Sequence, residues 1–301
     1  MPGTGRTRRT LENATGGMDG KVVLITGGTS GIGKATAKAL AAMGAEVVVH
    51  GRNRKRGEQA AEEIRRESAS DKVSLLLADL AVQDEVRRLA KEFEASHDRL
   101  DVLVNNAGLI ADRRTETPDG IELTLAVNHL ASFLLTNLLL DLLKKSAPSR
   151  IINVSSEAQR QAKRIDFDNL QGERRYGAFR IYGQSKLANV LFTYELAEWL
   201  HDTGVTAFAM HPGGVNTNFG KGNRSLMSLL FRVFKPFMRS SEQGADTVVY
   251  LATSPEVEGM SGEYFSDREV TKPAEGAYDE AARKRLWEVS EELTGLRAAA
   301  R

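Results

Sequence analysis

Seven short runs of aliphatic and β-branched residues punctuate the chain, at 21–26, 45–50, 72–77, 101–105, 150–155, 205–210 and 263–266. Most are continuously apolar, which predicts strands covered on both faces, as in parallel sheets. Helical patterns fall between them, at 34–43, 58–67, 83–95, 119–145, 184–200, 242–253 and 278–296. Strand and helix alternate, and that order predicts an α/β fold: a doubly wound parallel sheet of about seven strands flanked by helices. The rhythm breaks once, at about 218–240. No internal repeat or linker interrupts it, so 20–296 is expected to be one domain behind a flexible polar tail at 1–19.

Composition narrows the function classes. Lys and Arg total 41 against 40 for Asp and Glu, a net charge of +1, without the basic excess of a nucleic-acid binder. The absence of cysteine excludes disulfides, thiolate catalysis and Cys-ligated metal, and no His or acid spacing suggests another metal site. The first 20 residues hold no apolar stretch, and no spanning segment is expected. Asn13-Ala14-Thr15 matches a glycosylation acceptor but has no export signal beside it. These features lead to the expectation of a soluble, cytoplasmic protein.

Candidate chemistry begins where the first strand meets the first helix, in Thr26-Gly27-Gly28-Thr29-Ser30-Gly31-Ile32-Gly33. Glycines there let a backbone approach a pyrophosphate, and the helix start offers N–H donors. A plain tight turn explains one glycine better than Gly27, Gly31 and Gly33 together. About 20 residues on, Arg52 and Asn53 open a basic cluster with no carboxylate between Glu46 and Glu58. An acid at this position would suit NAD; an arginine suits the 2′-phosphate of NADP. The cluster otherwise has to be read as a solvated helix start that opposes the helix dipole. Tyr182 and Lys186 are four residues apart, so a helix places them on one face, where the ammonium should lower the phenol's pKa. A solvated helix face would supply the same spacing by chance. Tyr176 is a rival phenol, but Arg180, not a lysine, stands four residues after it.

The glycine spacing, Asn105-Asn106-Ala107-Gly108 and Tyr182-x-x-x-Lys186 together resemble the short-chain dehydrogenase/reductase family, over nearly residues 20–290. The resemblance implies a Rossmann-type domain that binds NADP(H), with NAD(H) as the alternative, and reversible hydride transfer on a carbonyl or alcohol. It implies that Ser156 binds the substrate oxygen, Tyr182 exchanges its proton, Lys186 binds the nicotinamide ribose, and Asn128 completes the proton path. From the residues alone, Asn128 could equally be a buried structural amide. By resemblance Asp79 and Leu80 border the adenine, although Asp79 could instead cap the next helix. Asn106, Ala107 and Gly108 then permit close cofactor approach, and Pro212, Gly213, Val215 and Thr217 lie against the nicotinamide. His129 is read as packing.

Ser156 and Tyr182 are 26 positions apart, a span lengthened by residues 164–176. That insertion resembles the retinol-dehydrogenase-like branch and implies a lipophilic substrate of retinoid, steroid, aldehyde or ketone type. Residues 218–240 would then be its lid, with Leu, Met and Phe dense at 226–238; a core helix or a membrane-surface element are the other readings. Pairing into a homodimer or homotetramer through 119–145 and 184–200 is expected by analogy. The competing function is a nucleotide-sensing binding protein, which would typically lack the tyrosine or lysine.

Overall fold

Strand β1, Val22–Ile25, is buried along its whole length, and its side chains alternate between two aliphatic layers. Val22 and Leu24 pack with Phe93, Leu134 and Phe192, whereas Val23 and Ile25 pack with Leu40, Ile64 and Leu251. A period of two therefore requires helices on both faces of the sheet. The computed structural model describes residues 17–213 and 239–296 and supplies them. Helices α1 (Gly31–Ala42) and α2 (Arg54–Ser68) cover one face; α3 (Gln83–Ser96) covers the other.

The remaining strands are β2 (Glu46–Gly51), β3 (Val73–Leu77), β4 (Val102–Asn105), β5 (Ser149–Val154), β6 (Val205–Met210), β7 (Glu263–Ser266) and β8 (Glu269–Val270). They lie in the order β3-β2-β1-β4-β5-β6-β7-β8, parallel except for β8. The order reverses between β1 and β4. At such a switch point the loops leaving neighbouring strands diverge and open a crevice beyond their carboxyl ends.

The eighth strand is absent from the sequence pattern for a physical reason. The β7–β8 hairpin turns on Asp267 and Arg268, both left-handed, with φ of 53° and 65°. That conformation usually draws Asn or Gly. Here ion pairs hold it instead, Arg268 to Asp246 and Asp267 to Arg239.

The expected helix over 119–145 is broken into pieces. These are α4 (Leu123–Leu125), a π-helical turn at Ala126–Leu130, α5 (Ala131–Leu138) and α6 (Leu140–Lys145). Asp119 lies outside them, and its carboxylate accepts the Gln83 N–H at 2.8 Å, capping α3 from a distance. Glu122 caps α4 itself through the Leu125 N–H at 2.7 Å. Helix α7 (Ala178–Trp199) instead begins earlier than the expected 184, so Tyr182 lies well within it. Helices α8 (Ser241–Thr253) and α9 (Glu280–Thr294) complete the two faces. Trp287 of α9 is buried against Phe133 of α5 and Phe192 of α7, at ring separations of 4.9 and 5.8 Å. Part of the surface on which pairing is expected is thus covered by the chain's own last helix. The insertion at 164–176 packs Ile165 and Leu170 into a third apolar layer with Leu187 and Leu191 of α7.

Candidate active site

The turn between β1 and α1 is tied from behind by the end of β4. Thr26 Oγ1 accepts the N–H groups of Asn106 and Ala107 at 2.9 and 3.0 Å. Asn106 Nδ2 donates to the carbonyls of Thr26 and Gly27 at 2.8 and 3.3 Å. A side chain at Gly33 would place Cβ 2.5 Å from both Asn106 Nδ2 and the Gly27 carbonyl, so only glycine fits. Gly27 itself is left-handed, with φ of 64°. Ser30 opens α1 without a side-chain cap, and no acid lies in the first turn. Its N–H groups and positive dipole end stay available to an anion. The turn fits the pyrophosphate of a dinucleotide. Thr29 fills the space beside Gly51, where a Cβ would meet its methyl at 2.5 Å, and Ile32 packs on the core below.

His50 is a support that the sequence reading missed. Its Nδ1 accepts the Gly27 N–H at 3.2 Å while Nε2–H donates to the Ala78 carbonyl at 3.0 Å. Burial lowers its pKa, favouring the neutral ring that can accept on one side and donate on the other. The one available signal was a polar residue closing an otherwise aliphatic strand.

Just beyond the carboxyl end of β2, Arg52 is exposed, with Nη1 3.9 Å from Asp79 Oδ2. Asn53 caps α2, its Oδ1 accepting the Arg56 N–H at 3.0 Å. Asp79 accepts the Ala81 N–H at 3.1 Å and closes its own turn, leaving the α3 cap to Asp119. Leu80 is buried beside it.

The second half of the site hangs on α7. Lys186, 3% exposed, donates from Nζ to the Val154 carbonyl at 2.9 Å, and Ser155 Oγ donates to the Lys186 carbonyl at 2.8 Å. These bonds clamp the helix to the end of β5. Gly183 lets it approach further, since a Cβ there would lie 2.8 Å from the Ala158 carbonyl. The Tyr182 phenol shares a hydrogen bond with the Ser156 hydroxyl, which also accepts the Ala158 N–H at 3.2 Å. Asn128, presented by the π-helical turn, accepts from the Leu109 N–H at 2.8 Å and donates to the Leu109 carbonyl and Ser185 Oγ at 2.9 and 3.0 Å. Ser185, which the sequence reading passed over, donates in turn to the Tyr182 carbonyl at 2.8 Å. The empty Cβ position of Gly108 is 3.3 Å from both Asn128 Oδ1 and Lys186 Nζ. A side chain there would press on both groups.

Burial, not the lysine, dominates the phenol's acidity. It pushes the Tyr182 pKa up, and the Ser156 hydrogen bond pulls it part of the way back. Burial also pushes Lys186 down to about 8. The expected lowering of Tyr182 by Lys186 does not set the direction: burial raises the pKa, and the group that opposes it is Ser156. Tyr176 is engaged elsewhere: its hydroxyl lies 2.7 Å from the Ala111 carbonyl and 3.2 Å from Glu122 Oε1, with its pKa raised to about 12. His129 meets Ser290 Oγ at 2.9 Å and is pushed down to about 4 by burial, as a packing residue.

Beyond β6, Gly213 donates its N–H to His211 Nδ1 at 3.2 Å, next to Pro212. Val215, Thr217 and residues 218–238 of the expected lid lie outside the described residues. Among the described residues no group of three or more His, Cys, Asp or Glu could hold a metal, and no helix is long and apolar enough to cross a membrane.

The turn, the switch point and the Ser156–Tyr182–Lys186 cluster agree with the likenesses this chain shows. The model of the family described as short chain dehydrogenase matches residues 21–227. Retinol dehydrogenase 12 of Mus musculus is 46% identical over 277 residues, 92% of this chain and 87% of that one. Retinol dehydrogenase 14 of Homo sapiens is 44% identical, covering 93% of this chain and 88% of that one. Among solved structures, an uncharacterised protein from Mycobacterium paratuberculosis superposes with a TM-score of 0.75 at 31% identity, covering 93% of this chain and 96% of that one. A short chain dehydrogenase from Burkholderia cenocepacia in complex with NADP superposes with a TM-score of 0.66 at 25% identity, covering 83% and 97%. The chain belongs to the short chain dehydrogenase family, an oxidoreductase of the retinol-dehydrogenase-like branch that uses a nicotinamide dinucleotide.

Proposed function

We propose that this chain is an NADP(H)-dependent oxidoreductase acting on the alcohol or carbonyl of a lipophilic, retinoid-like small molecule. The observation that carries the reading is the convergence of Ser156, Tyr182, Lys186 and Asn128 at the end of β5, beside the cofactor turn. The NADP preference rests on Arg52, an exposed guanidinium at the ribose position with Asp79 as its nearest acid. The retinoid-like substrate rests on the relatives' names and on the insertion between Ser156 and Tyr182.

The turn at 27–33, Arg52 and Lys186 would hold the dinucleotide, with Gly108 allowing close approach. When bound, the nicotinamide supplies or takes up the hydride. Ser156 binds the substrate oxygen and orients it toward the phenol of Tyr182. In alcohol oxidation Tyr182, as phenolate, takes the hydroxyl proton; in carbonyl reduction it returns that proton to the oxygen. Lys186 supplies the positive charge that steadies the phenolate. Asn128 holds Ser185 and the backbone at Leu109, keeping the floor of the proton path in place.

Aldehydes, ketones and alcohols of graded lipophilicity, each assayed with NADPH and NADH, test the reading. Retinal-like substrates with NADPH should give the highest kcat/KM. No turnover with any pair, but tight nucleotide binding, would leave the nucleotide-sensing reading standing. A cytoplasmic placement, compatible with the Cys-free composition, is tested by fractionating cells that express the protein.

A further inference from the structure

Helix α7 carries a second set of polar residues on the face turned away from Tyr182. Arg180 and Gln184 are each two positions from Tyr182, a rotation of roughly 200° about the axis, and four from each other, so they share a face. They line a cavity of about 520 Å³, closed by residues 161–168 and by Arg285 of α9.

The charges in this cavity are uneven. Lys163, Arg164 and Arg285 line it with no ion-pair partner among the described residues, and Arg180 pairs with Asp166. Asp168 is the other acid in the wall, so four cations face two carboxylates. The Arg285 guanidinium is stacked 4.4 Å from the centre of the Phe167 ring, which fixes its plane beside the opening. The start of α7 adds to the positive field, with no acid in its first turn and no side-chain cap on Gly177.

A buried donor points the same way. Gln184 is 3% exposed; its Oε1 accepts the Asp166 N–H at 2.7 Å, while its Nε2 has no partner. A buried amide NH2 without an acceptor is destabilising, because it has given up water and gained no partner. An acceptor group bound in the cavity would relieve that cost and neutralise the three unpaired cations together. The wall is also closely packed: Lys163 adopts φ of 52°, and its carbonyl sits where a Cβ on Gly276 would come within 2.0 Å.

We propose that this cavity binds an oxyanion, a phosphate carried by a soluble molecule or by a lipid headgroup, at a site separate from catalysis. Nε2 of Gln184 donates to it, and Lys163, Arg164 and Arg285 supply the counter-charge. The proposal does not depend on the substrate or the cofactor.

The test titrates pyrophosphate into the full chain at saturating NADPH by calorimetry, and separately measures sedimentation with phosphatidylcholine vesicles with and without phosphatidic acid. Gln184→Glu keeps the Oε1 acceptor and replaces the donor with a negative charge. Arg285→Gln removes an exposed cation and leaves the core untouched. Each should weaken binding about tenfold or more, equivalent to about 1.4 kcal/mol, with turnover unchanged. Saturable pyrophosphate binding lost in both variants supports a soluble ligand. Binding confined to phosphatidic acid vesicles, and lost in both variants, supports a headgroup. Absence of binding in both arms, or binding equal in the two variants and the parent, overturns the proposal.

Discussion

The ammonium nitrogen of Lys186 lies 5.9 Å from the centre of the Tyr182 ring and donates to the Val154 carbonyl at 2.9 Å. The two side chains are therefore held by different partners: the lysine by the Val154 carbonyl, the phenol by the Ser156 hydroxyl. Both are buried in a space that favours neither charged form, which pushes the phenol up and the ammonium down.

Tyr182→Phe removes the proton donor and leaves the ring's packing intact. Turnover should fall by about 10² to 10⁴, with NADPH affinity changed by less than a few-fold. Steady-state rates and fluorescence titration of NADPH decide this. Substantial residual turnover would remove the tyrosine from the mechanism.

Lys186→Met should abolish activity and yet stabilise the fold near neutral pH. Below about pH 8 the lysine is charged in both folded and unfolded chains, and the native state carries the full cost of burying it. Between about 8 and the ordinary 10.5 the unfolded chain binds the extra proton, so parent stability climbs with pH. The shift corresponds to a cost of at most about 3 kcal/mol, reduced in the variant by loss of the bond to Val154. Urea unfolding at several pH values should show the variant's advantage shrinking toward pH 10.5. A variant less stable at every pH contradicts the burial argument.

Arg52→Asp places a carboxylate where the 2′-phosphate is proposed to sit. The preference for NADPH over NADH, as a ratio of kcat/KM values, should fall by about 100-fold or more through charge repulsion and loss of the guanidinium fork. Equal losses for the two cofactors would detach Arg52 from the phosphate.

Gly33→Ala forces a methyl into the Gly27 carbonyl and the Asn106 amide, each 2.5 Å from its Cβ. The backbone carbonyl has nowhere to retreat, so the turn must shift. NADPH affinity should drop by about tenfold or more, or about 1.4 kcal/mol, while far-UV circular dichroism stays native. Unchanged affinity would show that the turn does not set the binding geometry.

Trp287→Ala empties the contact of α9 with Phe133 and Phe192, at a cost of about 3–5 kcal/mol. Urea denaturation measures it. A loss below about 1 kcal/mol would mean that α9 is only loosely docked.

The sequence by itself determined the alternation of strand and helix, because buried parallel strands must be continuously apolar and their helices amphipathic. It also determined the glycine turn, where Gly33 admits no side chain, and the pairing of Tyr182 with Lys186, because a helix makes positions four apart neighbours. What it left open depends on partners distant in the chain. The 119–145 pattern looked continuous, yet Asp119 is drawn off to cap α3 and the π-helical turn aims Asn128 at Leu109 and Ser185. The β7–β8 turn has no glycine to announce it, since Asp246 and Arg239 hold it from outside. His50 supports the glycine turn because parallel pairing of β2 with β1 brings it beside Gly27. In the sequence one near charge governs the acidity of Tyr182, but burial decides its direction, and burial is a property of the packed fold. Local spacing names the groups that can react; only the tertiary structure fixes the dielectric around them and the backbone atoms that hold them still.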